Sequence, residues 1–137
     1  MKVYAIEKNP EAVELLHENC KKFALTNVKI IAGTAPEALE DLPAPTHVFI
    51  GGSSGKMEEV IALCLKKNPE TRFVVNLITP ESLAAVLEAA KTLPVTEPDL
   101  VTLTAARSKK VGSSHLMMGQ NPVWIVTFEG KTCISGI

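Results

Sequence analysis

Apolar and polar positions along this chain follow two alternating periods. Val3-Tyr4-Ala5-Ile6 is a short apolar run that stops on the carboxylate of Glu7 and gives way to a helical pattern. Asn9 can cap that helix and Pro10 opens it, because proline surrenders an amide that has no intrahelical partner at that position. Val13, Leu16, Cys20 and Phe23 recur at spacings of three and four, which predicts one buried stripe on a helix ending near Ala24. Thr26-Asn27 then turns the chain into a second strand, Val28–Ala32, that ends at Gly33. Residues 33–39 form a strand-end turn into a brief helical segment.

Pro43 and Pro45 bracket a loop, after which residues 46–50 form a third strand running straight into Gly51-Gly52-Ser53-Ser54-Gly55. Met57, Val60, Ile61 and Cys64 mark a second helix, closed by Lys66, Lys67 and Asn68-Pro69. Residues 72–78 are nearly continuous in apolar character, as in a strand covered on both faces, with Asn76 as the polar exception. Thr79 caps a third helix, opened by Pro80, whose Leu83, Val86, Leu87 and Ala90 face inward. Beyond it the pattern changes. Residues 100–107 and 122–128 are β-rich with no helical period between them, and they predict an antiparallel hairpin on the sheet edge. Their connection, residues 108–120, is long for a hairpin and reads either as a binding loop or lid or as a solvated basic turn. Domain organisation is then a single α/β domain over residues 1–130 and a tail over 131–137.

Composition narrows the function classes. The chain has 137 residues, 46% hydrophobic and 21% charged, with a formal net charge of -1. That balance fits a globular domain and argues against a polyanion-binding surface covering the whole molecule, so nucleic acid is not the expected partner. No apolar run approaches the roughly 20 residues of a membrane span, and there is no signal-peptide h-region. A cytoplasmic protein with no membrane partner is expected. Cys20, Cys64 and Cys133 are odd in number and lack C-x-x-C spacing, so they read as reduced thiols. His17 beside Cys20 has no further ligand to support a metal, and none is expected.

Candidate chemistry sits at the strand ends. Parallel strands in open α/β sheets present ligands at their carboxyl ends, where an acidic side chain can accept hydrogen bonds from ribose hydroxyls. Glu7 is placed for that role. Small residues at Thr34 and Ala35 would let a flat ring lie against the backbone, although a tight connection without a ligand is an equal reading. Gly51 and Gly52 would permit close approach of a ligand to the backbone. Neither G-x-G-x-x-G nor a P-loop is satisfied, which sets aside a nucleotide-hydrolysing reading. Ser113, Ser114 and His115 are adjacent in sequence and do not form a hydrolase triad.

Five parallel-type elements followed by an antiparallel pair resemble the class I, Rossmann-like methyltransferases that use S-adenosylmethionine. Four segments narrow the resemblance. They are Val-Tyr-Ala-Ile-Glu-Lys-Asn-Pro-Glu-Ala at 3–12, Gly-Thr-Ala-Pro-Glu-Ala-Leu at 33–39, Val-Phe-Ile-Gly-Gly-Ser at 48–53, and His-Leu-Met-Met with Gln-Asn-Pro-Val within 115–123. Together they resemble the decarboxylating precorrin methyltransferases of cobalamin biosynthesis, the CbiT type, which also occur as the C-terminal half of a fused precorrin C5,15-methyltransferase. The resemblance implies methylation of a ring-bridging carbon of a precorrin or its cobalt complex, with loss of carbon dioxide from an acetate side chain. It implies S-adenosylmethionine as cofactor, with Glu7 at the ribose, Thr34 and Ala35 on the adenine side, and Gly51 and Gly52 beside the methionine portion. The substrate would be a tetrapyrrole polycarboxylate, and by charge Arg107, Lys109, Lys110 and His115 are candidates to hold it.

The family's first strand and its acidic, glycine-rich loop are missing from this sequence, so weak or no S-adenosylmethionine binding by this polypeptide alone is expected. The gap is expected either to close, with the strand at 3–6 against that at 48–50, or to be covered by another subunit of a homo-oligomer such as a tetramer. Two other readings stand beside the enzyme: a non-catalytic assembly module that keeps the fold, and an NAD-binding oxidoreductase domain.

Overall fold

The computed structural model describes residues 1–52 and 55–132. Ser53, Ser54, Cys133 and most of the expected tail lie outside the described residues. The chain divides into two compact units, Met1–Pro43 and Ala44–Ile137.

In the first unit, β1 (Val3–Glu7) and β2 (Val28–Ala32) pair in parallel, from Val3 opposite Val28 to Glu7 opposite Ala32. Parallel neighbours need a crossover, here α1 (Pro10–Lys22). The Asn9 side chain caps α1 by accepting the amide of Glu11 at 2.9 Å. The helix ends as the backbone turns left-handed at Ala24, φ 52°, where the amide of Leu25 donates to the Cys20 carbonyl at 2.8 Å. The predicted buried stripe is corrected: Val13, Leu16 and Cys20 are half-buried, Phe23 is 64% exposed, and no α1 residue is buried. A two-stranded sheet is too narrow to cover an amphipathic helix. After β2, Gly33 leads through a cis Ala35–Pro36 bond to a single 3-10 turn, Glu37–Leu39.

The second unit holds β3 (His47–Gly51), α2 (Met57–Lys67), β4 (Arg72–Leu77), α3 (Pro80–Thr92), β5 (Asp99–Leu103), β6 (Ala106–Val111), β7 (Ser114–Gly119) and β8 (Val123–Glu129). Its main sheet has the order β3-β4-β8-β5, with β3 and β4 parallel and β8 antiparallel to both neighbours. β1 therefore pairs with β2 and β3 with β4.

The core lies on one face of this sheet. Phe73, Val75 and Leu77 of β4 and Val126 and Phe128 of β8 are buried there with Met57, Val60, Ile61, Cys64 and Leu65 of α2 and Val86 and Ala89 of α3. The rings of Phe73 and Phe128 stack with centroids 5.2 Å apart. Thr71 is fully buried, and its hydroxyl donates toward the carbonyls of Pro45 and Asn68 at 3.0 and 2.7 Å, tying the α2–β4 turn to the start of β3.

Three expectations change. β4 is buried on one face only, since Arg72 is exposed and Val74 and Asn76 are half-buried. The predicted edge hairpin is an antiparallel pair of β5 and β8, but β8 is inserted beside β4 and only β5 is at the edge. Their connection is not an irregular loop: it is a second hairpin, β6 and β7, turning at Gly112 with φ 60°. Past β8 the described chain is tied back to the rest of its unit. The amide of Gly130 donates to the Thr71 carbonyl at 2.9 Å and that of Lys131 to the Pro94 carbonyl at 2.7 Å. Among the described residues, no helix is long and apolar enough to cross a membrane.

Cys64 is only 1% exposed, and burial pushes its thiol above the usual thiol range, partly offset by the charge of Lys67. The unfolded thiol therefore ionises first as pH rises. Its contribution to stability is complete below about pH 8.5 and is lost as pH climbs toward the raised folded value. Urea midpoints measured from pH 7 to 10 are expected to fall more steeply for the native chain than for Cys64→Ala.

Candidate functional site

Glu7 ends β1 and lies half-buried at the carboxyl edge of the parallel pair. Its Oε1 accepts the amide of Asn9 at 2.8 Å, while its carbonyl accepts the amide of Gly33 at 3.0 Å. Asn9 thus does two things: it caps α1 and it holds the carboxylate in one orientation. A carboxylate has about four lone-pair directions, so the second oxygen remains able to accept two hydroxyl donors. Gly33, Thr34 and Ala35 follow β2 at the same edge, because Ala32 is opposite Glu7. Thr34 is exposed and Ala35 half-buried, and the Thr34 carbonyl accepts the amide of Ala38 at 2.9 Å.

In the second unit the equivalent edge carries Gly51 and Gly52. Both are exposed, and Gly51 lies opposite Asn76 across the β3–β4 ladder. A Cβ at Gly51 would stand 2.8 Å from Cε1 of Phe49, whose ring lies over the glycine backbone. Gly52 has φ 111°, a conformation that L side chains rarely adopt. The first unit thus unites Glu7 with Thr34 and Ala35, and the second places Gly51 and Gly52 beside Asn76.

The four candidate cations all lie on the β6–β7 hairpin and are all exposed. Register divides them. Arg107 is opposite Met118 and Lys109 opposite Leu116, so these four share one face, while Lys110 opposite His115 and Ser108 opposite Met117 share the other. The sequence pointed to a single basic cluster because a loop imposes no faces. Two features of the site went unread: Asn9 as the residue that orients Glu7, and the opposition of Gly51 and Asn76, which is visible only once β3 and β4 are in register.

Residues 1–129 match the family described as the precorrin methyltransferase domain. A Sulfolobus acidocaldarius protein named as a probable cobalt-precorrin-6B C(15)-methyltransferase (decarboxylating) is 34% identical over 132 residues, covering 95% of this chain and 68% of that protein. Among solved structures, a precorrin-6Y C5,15-methyltransferase from Geobacter metallireducens superposes with a TM-score of 0.83 at 32% identity, covering 93% of this chain and 68% of its own. The structure titled precorrin 8W decarboxylase, from Methanobacterium thermoautotrophicum, has a TM-score of 0.83 at 30% identity, with 95% and 70% covered.

A side chain at position 52 would be forced into strained backbone. Gly52→Ala is expected to destabilise the chain by about 1–3 kcal/mol, measured as a fall in the urea unfolding midpoint at unchanged slope. An unchanged midpoint would show that the turn accepts an ordinary backbone conformation.

Proposed function

Because this chain belongs to the precorrin methyltransferase domain family and carries the class I S-adenosylmethionine-dependent methyltransferase fold, we propose that it serves cobalamin biosynthesis. Its reaction is the S-adenosylmethionine-dependent methylation of a precorrin or cobalt-precorrin of the 6B type, coupled to loss of carbon dioxide from an acetate arm. The observation that carries this reading is the carboxylate of Glu7 at the end of a parallel strand, held by the amide of Asn9 with one oxygen left to accept.

The residues present suit an adenosyl ligand. Glu7 offers acceptors to a ribose diol, Ala35 and Thr34 offer a small surface for adenine, and Gly51 and Gly52 offer exposed backbone to the methionine portion, Gly52 with nothing within 4 Å of the place a Cβ would take. Bound, S-adenosylmethionine supplies an electrophilic methyl group on a sulfonium centre. The protein's part is then alignment, and well-oriented reactants can lower a barrier by about 7–11 kcal/mol.

Arg107, Lys109, Lys110 and His115 hold carboxylates of the tetrapyrrole in this reading. No acidic residue occurs between Asp99 and Glu129 to oppose them. Arg107 suits a bidentate carboxylate contact best of the four. Exposed ion pairs contribute only about 0–1 kcal/mol each, so such an arm works through several charges at once.

The test is calorimetric titration with S-adenosylhomocysteine of this chain and of a version extended upstream through the family's first strand and glycine-rich loop. The extended version is expected to bind and this chain to bind weakly. Glu7→Gln in the extended version is expected to weaken binding at least tenfold, about 1.4 kcal/mol. No binding by either version would overturn the reading, and binding indifferent to Glu7→Gln would overturn the role of that residue.

A further inference from the structure

Asn76 is a residue that neither the fold nor the proposed cofactor contacts explain. It interrupts an otherwise apolar strand at the centre of the main sheet, where asparagine is disfavoured. Its backbone belongs to two ladders, opposite Gly51 on β3 and Ile125 on β8. Among the described residues its side-chain amide has no hydrogen-bond partner. Among them, too, no buried side-chain nitrogen or oxygen lacks a partner, so this half-buried amide keeps an open path to solvent. A strand position that neither packs as an apolar residue nor satisfies its amide internally contributes little to folding.

Strand alternation fixes where the amide points. Phe73, Val75 and Leu77 face the helices, so Asn76 faces the opposite side together with Val74, with Phe49 and Gly51 of β3, and with Ile125 of β8. Gly51 has no side chain, and the Phe49 ring stands where its Cβ would be. The edge continues in the other direction as well. β5 runs in the same direction as β4 and ends at Leu103 opposite Val123, the first residue of β8, so the β6–β7 hairpin springs from the same edge of the sheet. Asn76 therefore sits between the glycine turn after β3 and the root of a hairpin that carries only basic charge.

We infer that Asn76 binds the substrate directly, its two Nδ2 hydrogens donating to a carboxylate of the tetrapyrrole between Gly51 and the basic hairpin. This rests on the function proposed above and extends it by naming a residue that orients the macrocycle beside the methyl donor. A neutral amide suits this place. It donates to a carboxylate without the desolvation cost of a half-buried cation, leaving the cations to the exposed hairpin.

The probe is uroporphyrin III, an octacarboxylate macrocycle, followed by fluorescence titration against this chain. Asn76→Ala is expected to weaken its binding about tenfold, while Asn76→Asp, which sets a carboxylate against a carboxylate, weakens it further. The urea midpoint of Asn76→Ala is expected to stay level or rise, since no internal hydrogen bond is lost. Equal binding by the native chain and Asn76→Ala would overturn the inference and leave the proposed function standing. A native chain that does not bind the macrocycle would sink both. In the upstream-extended version, Asn76→Ala is expected to leave S-adenosylhomocysteine affinity unchanged, and a matching loss there would reassign the amide to the cofactor and overturn the inference.

Discussion

Parallel pairing is the constraint on which the remaining structure depends. Neither β1 with β2 nor β3 with β4 can be joined by a tight turn, so each pair is bridged by a helix and each strand ends at the same edge as its neighbour. Whatever the sequence places after those strands is thereby gathered. In the first unit that is Glu7 with Gly33, Thr34 and Ala35, and in the second Gly51 and Gly52 with Asn76. The chemistry of the protein is a consequence of strand direction before it is a consequence of any single side chain.

The antiparallel half does different work. β8 enters beside β4 and closes the core through Phe73 opposite Phe128 and Val75 opposite Val126. Because β8 runs against β4 and β5, the chain between β5 and β8 must leave and return at the carboxyl edge. It does so as the β6–β7 hairpin, whose root lies at the edge that carries the glycines and Asn76. The cross-strand pair of Arg72 and Glu129, directly opposite in this register, is half-exposed and adds little to stability.

Much of this was legible in the residues. The strand–helix alternation through α3, the caps at Asn9 and Thr79, and the strand-end positions of Glu7 and Gly51 all follow from local rules of period and capping. β6 and β7 were not legible, because every residue from Ser108 to Gly119 is exposed and a hairpin open on both faces leaves no alternation to read. The stripe on α1 was legible but misleading, since amphipathicity states what a helix can bury and not how much surface it is offered. Thr71 and Gly130 were passed over because their importance is tertiary. A Cβ at residue 130 would stand 2.0 Å from the Pro69 carbonyl oxygen, a crowding no local pattern reveals. The partners of Glu7 and Asn76 likewise required the register of the strands.

The central proposal is that the carboxylate of Glu7, at the carboxyl edge of the β1–β2 pair, holds the ribose of S-adenosylmethionine. Amide chemical shifts of the 15N-labelled, upstream-extended protein, followed during titration with S-adenosylhomocysteine, test it most directly. The account predicts that the amides of Asn9 and of Gly33 to Ala35 move along one saturable curve, and that Glu7→Gln weakens the affinity it reports at least tenfold. Unperturbed amides at Asn9 and Gly33 to Ala35, or a curve unchanged by Glu7→Gln, would contradict it.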